Sequence, residues 1–254
     1  MKSGLGAQCD DFCVSSRLSL KLNLTLERET VLHFFDRIRR EHPTLRRLRR
    51  RSDGSFVLEE LEADPREDGP RRWIRLEPTS LRLGHFNPPA ASAWRQFGST
   101  LFEYAPYFLS LSDLDVDHLE VVYGFDFEYR GNHDQLVAET LLADHPLASV
   151  FSGDQQASII DCQPYIGIAL TPDCNMQAYL DIKSRTSTFE VRTGEYDPQV
   201  LSVYLTLRQY WGFGEEAILP QAFCSLNDAA AELATQRVIP MVVNPLAMAI
   251  ANRS

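Results

Sequence analysis

The signatures of the common nucleotide and nucleophile enzymes are missing from this chain. It contains no Gly-Lys pair for a phosphate-binding loop, no G-x-G-x-x-G, no G-x-S-x-G and no H-E-x-x-H. An excess of positive charge is also lacking. The formal net charge is -10 and the pI near 5.1, which opposes non-specific attraction to nucleic acid or anionic lipid. No apolar run approaches the roughly 20 residues of a membrane span. The best candidate, residues 238–251, is shorter and interrupted by Pro240, Asn244 and Pro245, and reads as a core helix. The N-terminus has no apolar stretch for a secretory signal and no lipoprotein cleavage site, so the expected location is the cytoplasm. Five cysteines, an odd number spread over 254 residues, do not make a disulfide framework. Cys9 and Cys13 alone cannot close a structural zinc site, which takes four ligands.

What is present is a well-patterned α+β chain, 44% hydrophobic and 24% charged. Residues 17–26 alternate, with Leu18, Leu20, Leu22, Leu24 and Leu26 on one side of an expected strand. An amphipathic helix follows, carrying Val31, Phe34, Phe35 and Ile38 at helical spacing and Glu27 and Glu29 in its first turn. The arrangement recurs in "HLEVVYGFDFEY", where Leu119, Val121, Tyr123, Phe125, Phe127 and Tyr129 share one face, followed by a shorter helix over residues 133–142. After each strand and helix come hairpin-like strands, the first turning at Asp53-Gly54. Each half closes with an apolar helix, over residues 89–104 and 225–252, the second bent or divided near Pro240 and Pro245.

These patterns predict a flexible tail over residues 1–14 and two pseudo-repeated βαβββα-like units, 15–112 and 113–254. The expected architecture is an antiparallel sheet with helices packed against it. The junction between the units is too short and apolar for a free linker. Residues 60–72, with their acidic run, read as an exposed loop.

Gly131, Asn132, His133 and Asp134 spell a tetrad also found in binuclear metallophosphatases. Such enzymes bring an upstream D-x-H, then a G-D, and a downstream G-H-x-H, because two metals need ligands from several strand ends. None of that context is present. The tetrad reads better as a strand-to-helix junction, with Gly131 ending the strand, Asn132 as N-cap, Asp134 at the positive helix end and Gln135 completing a capping box. No metal and no cofactor is therefore assigned.

Further candidates carry weaker signals. Asp126 and Glu128, with Glu120, lie on one strand face and could ligate a cation or divide acid and base roles, although the wet side of a strand looks the same. His85 and Asn87 precede Pro88-Pro89, where a loop entering a helix can present both side chains. Arg47, Arg49 and Arg50 belong to an arginine cluster that could hold an acidic ligand. Cross-strand pairing to Glu59 and Glu60 would neutralise part of it, and no aromatic residues are interleaved as a base-stacking platform requires.

The segments "WIRLEPTSLRLGHFNPP", "YLDIKSRT" and "VIPMVVNPLAMAIAN" resemble a sporadically distributed family of uncharacterised bacterial proteins of about this length. That resemblance implies no activity, partner or site residue. The expected function is a non-enzymatic binding or protein-interaction module, offering a surface to a protein or small ligand. The alternatives are a hydrolase built on Glu128, His85 and His133, and a binder of nucleic acid or an acidic ligand through the arginine hairpin; the overall charge disfavours nucleic acid.

Overall fold

A computed structural model describes residues 4–60, 70–148, 158–211 and 218–253. The first half contains β1 (Asp11–Leu20), α1 (Arg28–Glu41), β2 (Leu45–Arg50), β3 (Phe56–Glu60), β4 (Arg71–Glu77), β5 (Ser80–Phe86) and α2 (Ala91–Leu109). The second contains β6 (Val116–Tyr129), α3 (His133–Leu141), β7 (Tyr165–Ala169), β8 (Met176–Lys183), α4 (Thr188–Thr193) and β9 (Gln199–Tyr210). It ends in α5 (Leu219–Leu233), a π-helical stretch (Ala234–Val243) and α6 (Asn244–Ala251).

Among the described residues one nine-stranded sheet runs β2-β3-β4-β5-β1-β6-β9-β8-β7, and every pairing is antiparallel. The α+β expectation holds, and the two halves share this sheet through the β1–β6 seam. Their contents differ, however. The first half places four strands after its helix, whereas the described second half places three, with α4 between β8 and β9. The expected βαβββα repeat is therefore not reproduced element for element.

The alternating pattern of β6 fixes its face, for Leu119, Val121, Tyr123, Phe125 and Phe127 are all buried. The first strand lies earlier than its leucine alternation suggests. It ends at Leu20, and Leu22 is 66% exposed. A strand needs neighbours as well as alternation: beyond Leu20 the backbone turns to loop carbonyls, with Lys21 N–H donating to Asp115 and Leu24 N–H to Pro78. Residues 11–14 are in turn no loose tail. Phe12 lies against Tyr123 and Phe125, with ring centroids 5.6 and 5.1 Å apart, and Cys9 is buried in the same core. None of the five cysteines is disulfide-bonded.

Helices cover the apolar face. α1 contributes Val31, Phe34, Phe35 and Ile38, while α2 contributes Trp94, Phe97, Leu101, Phe102 and Ala105. The close approach of α2 to α5 needs Gly98, because a Cβ there would fall 2.1 Å from the Phe223 ring. Asn227 of α5 is buried and accepts from Trp94 Nε1 at 2.8 Å and Tyr123 Oη at 2.9 Å, joining α2, α5 and the sheet. The terminal helical run, Leu219–Ala251, is 33 residues long, enough by length and composition to cross a membrane. Here its apolar stripe of Leu219, Phe223, Leu226, Ala230, Ala234 and Val238 packs into the core. Near the two prolines, where a bend or division is expected, the run changes helix type: a π-helical stretch takes in Pro240, and α6 starts at Asn244 with Pro245 in its first turn.

Candidate functional site: the polar face of the sheet

Antiparallel register places residues of successive strands side by side, with Cβ atoms about 4.5–5.5 Å apart. One row crosses the polar face through Arg49 (β2), Val57 (β3), Arg75 (β4), Arg82 (β5), Arg17 (β1), Glu120 (β6), Arg208 (β9) and Gln177 (β8). Arg75, Arg82 and Arg17 are thus direct neighbours, an arrangement that like charges oppose.

Counter-ions serve only part of this row. Arg75 reaches Asp53 at 2.7 Å and Glu77 at 2.8 Å, and Arg49 reaches Glu59 at 3.0 Å. Arg208 is bound to Glu120, and its guanidinium lies 5.3 Å from the centre of the Tyr179 ring. Burial acts to raise the Glu120 carboxyl, but its hydrogen bond with His118 and the nearby Arg208 charge hold it down to about 2. Arg82 and Arg17 make no ion pair among the described residues, although Glu120 stands opposite Arg17 on β6, and Arg17 Nε is buried without an acceptor.

Beside this row is a cleft of about 440 Å³, lined by Arg47, Arg71, Trp73, Arg75, Arg82 and Phe86 among others. Trp73 fills the space above Gly84 on the neighbouring strand, where a Cβ would stand 2.4 Å from the indole. Arg71 lies over Phe86 at 4.9 Å. The fold therefore interleaves arginine with aromatic rings where the linear sequence does not. Guanidinium groups in such an array suit carboxylate or phosphate oxygens, which they can bind in bidentate fashion.

The residues singled out from sequence do not gather into one site. Arg47 and Arg49 do reach the polar face, both paired to Glu59. Arg50 belongs to the opposite strand phase and stacks on Phe56 at 5.5 Å. His85 is a core residue, 4% exposed and edge-on to Phe97, with burial first and Arg72 second pushing its pKa down to about 4. Asn87 adopts a left-handed backbone (φ 45°) and pins the start of β1, accepting from Phe12 N–H and donating to the Asp11 carboxylate. Asp126 lies on the polar face opposite Asp11, its pKa raised chiefly by burial. Glu128 is exposed near the end of β6, where its backbone N–H donates to Asp10.

The tetrad forms a clasp. Asn132 caps α3 by accepting from Gln135 N–H at 3.0 Å, and its amide donates to the Ile159 carbonyl. The second half of the expected capping box does not form, because the Gln135 side chain turns to Glu139 and to Ile159 N–H. His133, 1% exposed, donates from Nε2 to the Tyr129 carbonyl and accepts at Nδ1 from Arg185 N–H. Its burial lowers the pKa. Asp134 accepts from Cys162 N–H and from the Ser184 hydroxyl, both at 2.7 Å. One helix start thus fastens two separate loops, and no group of three His, Cys, Asp or Glu suited to a metal occurs among the described residues.

Arg17, Arg75, Arg82 and Trp73 escape a linear reading. Each sits on the solvent phase of its own strand, and only strand order brings them together.

No family model matches the chain, and no curated protein matches it significantly. Among solved structures, polyketide synthase associated protein 5 from Mycobacterium tuberculosis aligns over 91% of this chain and 96% of its own, at 10% identity. The TM-score of 0.21 is too low to carry an argument.

Proposed function

We propose that this is a non-enzymatic binding module of the cytoplasm whose polar sheet face receives carboxylate or phosphate groups. These would belong to a small ligand or to an acidic segment of a partner protein. The observation that carries the reading is the neighbouring pair Arg82 and Arg17, held side by side beside the Trp73 cleft with no ion pair of their own among the described residues. Mutual repulsion makes that arrangement costly unless an anion occupies it for part of the protein's working life. The net charge of -10 favours a compact anion over a long polyanion, so nucleic acid is the weaker fit. A hydrolase reading finds less support: His85 lies in the core, Glu128 is exposed, and the ring nitrogens of His133 are engaged by backbone.

The test is a fluorescence titration of the protein with inorganic tripolyphosphate and, separately, with a hexaglutamate peptide, repeated for Arg17→Gln combined with Arg82→Gln. Saturable, salt-sensitive binding by the native chain is expected. Loss of charge-assisted hydrogen bonds worth about 1.5–3 kcal/mol should weaken it ten- to hundredfold in the variant. The better of the two probes distinguishes phosphate from carboxylate recognition. Indistinguishable titrations of native and variant protein with both would end the proposal.

A further inference from the structure

The two outer strands of the sheet are guarded very differently. β2 presents Arg46, Arg47, Arg49 and Arg50, charges that discourage pairing with a second such edge. β7, with the sequence YIGIA, has no charge and no proline, and all of it is exposed. Tyr165 is 63%, Ile166 56% and Ile168 43% exposed. On its inner side β7 pairs with β8; no described strand lies on its outer side.

The hydrogen-bond parity shows which backbone groups point outward. Leu170 N–H donates to Met176 at 2.7 Å and Ile182 N–H to Pro164 at 3.1 Å, flanking the β7–β8 ladder. In an antiparallel pair bonded positions alternate. The even-numbered residues of β7 therefore bond inward to β8, and the N–H and C=O groups of Tyr165, Gly167 and Ala169 face outward.

We infer that β7 is a self-pairing edge, and that two copies of this chain join there antiparallel about a two-fold axis through Gly167. About that axis Gly167 meets its own counterpart in a bonded pair, and Tyr165 meets Ala169, so every outward group finds a partner. The close, non-bonded positions bring Ile166 against Ile168 of the other copy, removing exposed apolar surface from water. No residue of β7 itself carries a charge that would oppose this. On the polar face Tyr165 already stacks on Tyr179, with centroids 5.8 Å apart, so the ring lies over β8 and off the new ladder. A two-fold normal to the sheet leaves both polar faces on one side. The result is a doubled sheet with an arginine row in each half. This pairing does not depend on anion binding by either row.

Sedimentation velocity on the full chain tests the inference, from roughly 1 to 300 µM, because an edge-to-edge contact belongs to the small, weaker class of interface. The native chain should shift from monomer to dimer across that range. Ile166→Lys with Ile168→Lys, and separately Ile166→Glu with Ile168→Glu, change exposed side chains and should each give a folded monomer by circular dichroism. Mixed together, the lysine and glutamate forms should associate, because each 166 faces a 168. A native chain that stays monomeric, a lysine form that still dimerises, or a mixture that fails to associate would each overturn it.

Discussion

Replacing Arg82 with glutamine should stabilise the ligand-free protein while weakening its hold on an acidic ligand. Arg82 stands directly between Arg75 and Arg17 on adjacent strands. A like charge opposite another costs about 0.2–1 kcal/mol. Arg75 is largely offset by Asp53 and Glu77, and Arg17 is the neighbour without an ion pair although Glu120 stands opposite it on β6, so the relief comes mostly from Arg17 and is at most about 1 kcal/mol in total. For a chain of this size that raises Tm by about 2–4 °C. Differential scanning calorimetry at low salt measures it directly. The Debye length falls to about 3 Å at 1 M salt, so the gain should largely vanish there. Arg82→Lys, which keeps the charge, should give no gain at either salt. A lower Tm for Arg82→Gln at low salt, or a gain untouched by 1 M salt, would refute the claim that Arg82 is held against repulsion.

Asn227→Leu should cost about 1–3 kcal/mol in urea unfolding, since it leaves the Trp94 donor buried without an acceptor and Tyr123 Oη with only its 3.3 Å bond to the backbone carbonyl of residue 227; a loss below about 1 kcal/mol would contradict the network. Acid should weaken the fold in two stages. His85 is held down to about 4 from its ordinary 6.5, so its contribution is complete above 6.5 and is lost as pH falls toward 4. Glu120, held down to about 2 from 4.5, is lost only below that ordinary value. His85→Phe should reduce the fall of the urea midpoint between pH 6.5 and 4, leaving the share of His42 and His133, which burial also lowers, and the lower stage intact; an unchanged slope would count against a neutral buried His85.

What the sequence made legible was local. The Asp53-Gly54 hairpin, the apolar stripe of α1, the alternation of β6 and the Asn132 cap each depend on residues within a few positions of one another. The leucine alternation places β1 too late, because Leu22, Leu24 and Leu26 alternate correctly but have no described strand beside them, whereas Phe12 and Val14 do. The arginine row was illegible for a related reason. Arg75, Arg82 and Arg17 come from strands whose order in the sheet is not their order in the chain. The conspicuous histidines misled in the other direction, since His85 and His133 attract notice by type yet sit satisfied or desolvated inside the fold.

The seam between β1 and β6 has a bearing on synthesis. The earliest described strand lies in the middle of the sheet, and its second neighbour spans Val116–Tyr129. A nascent chain that has finished α2 still carries a long bare edge on β1, with Phe12 and Val14 deprived of the Tyr123 and Phe125 rings that finally cover them. Until β6 emerges, the first half is an open template. The molecule must therefore be finished as a whole, and a gene cut between its halves would release two sticky fragments in place of two domains.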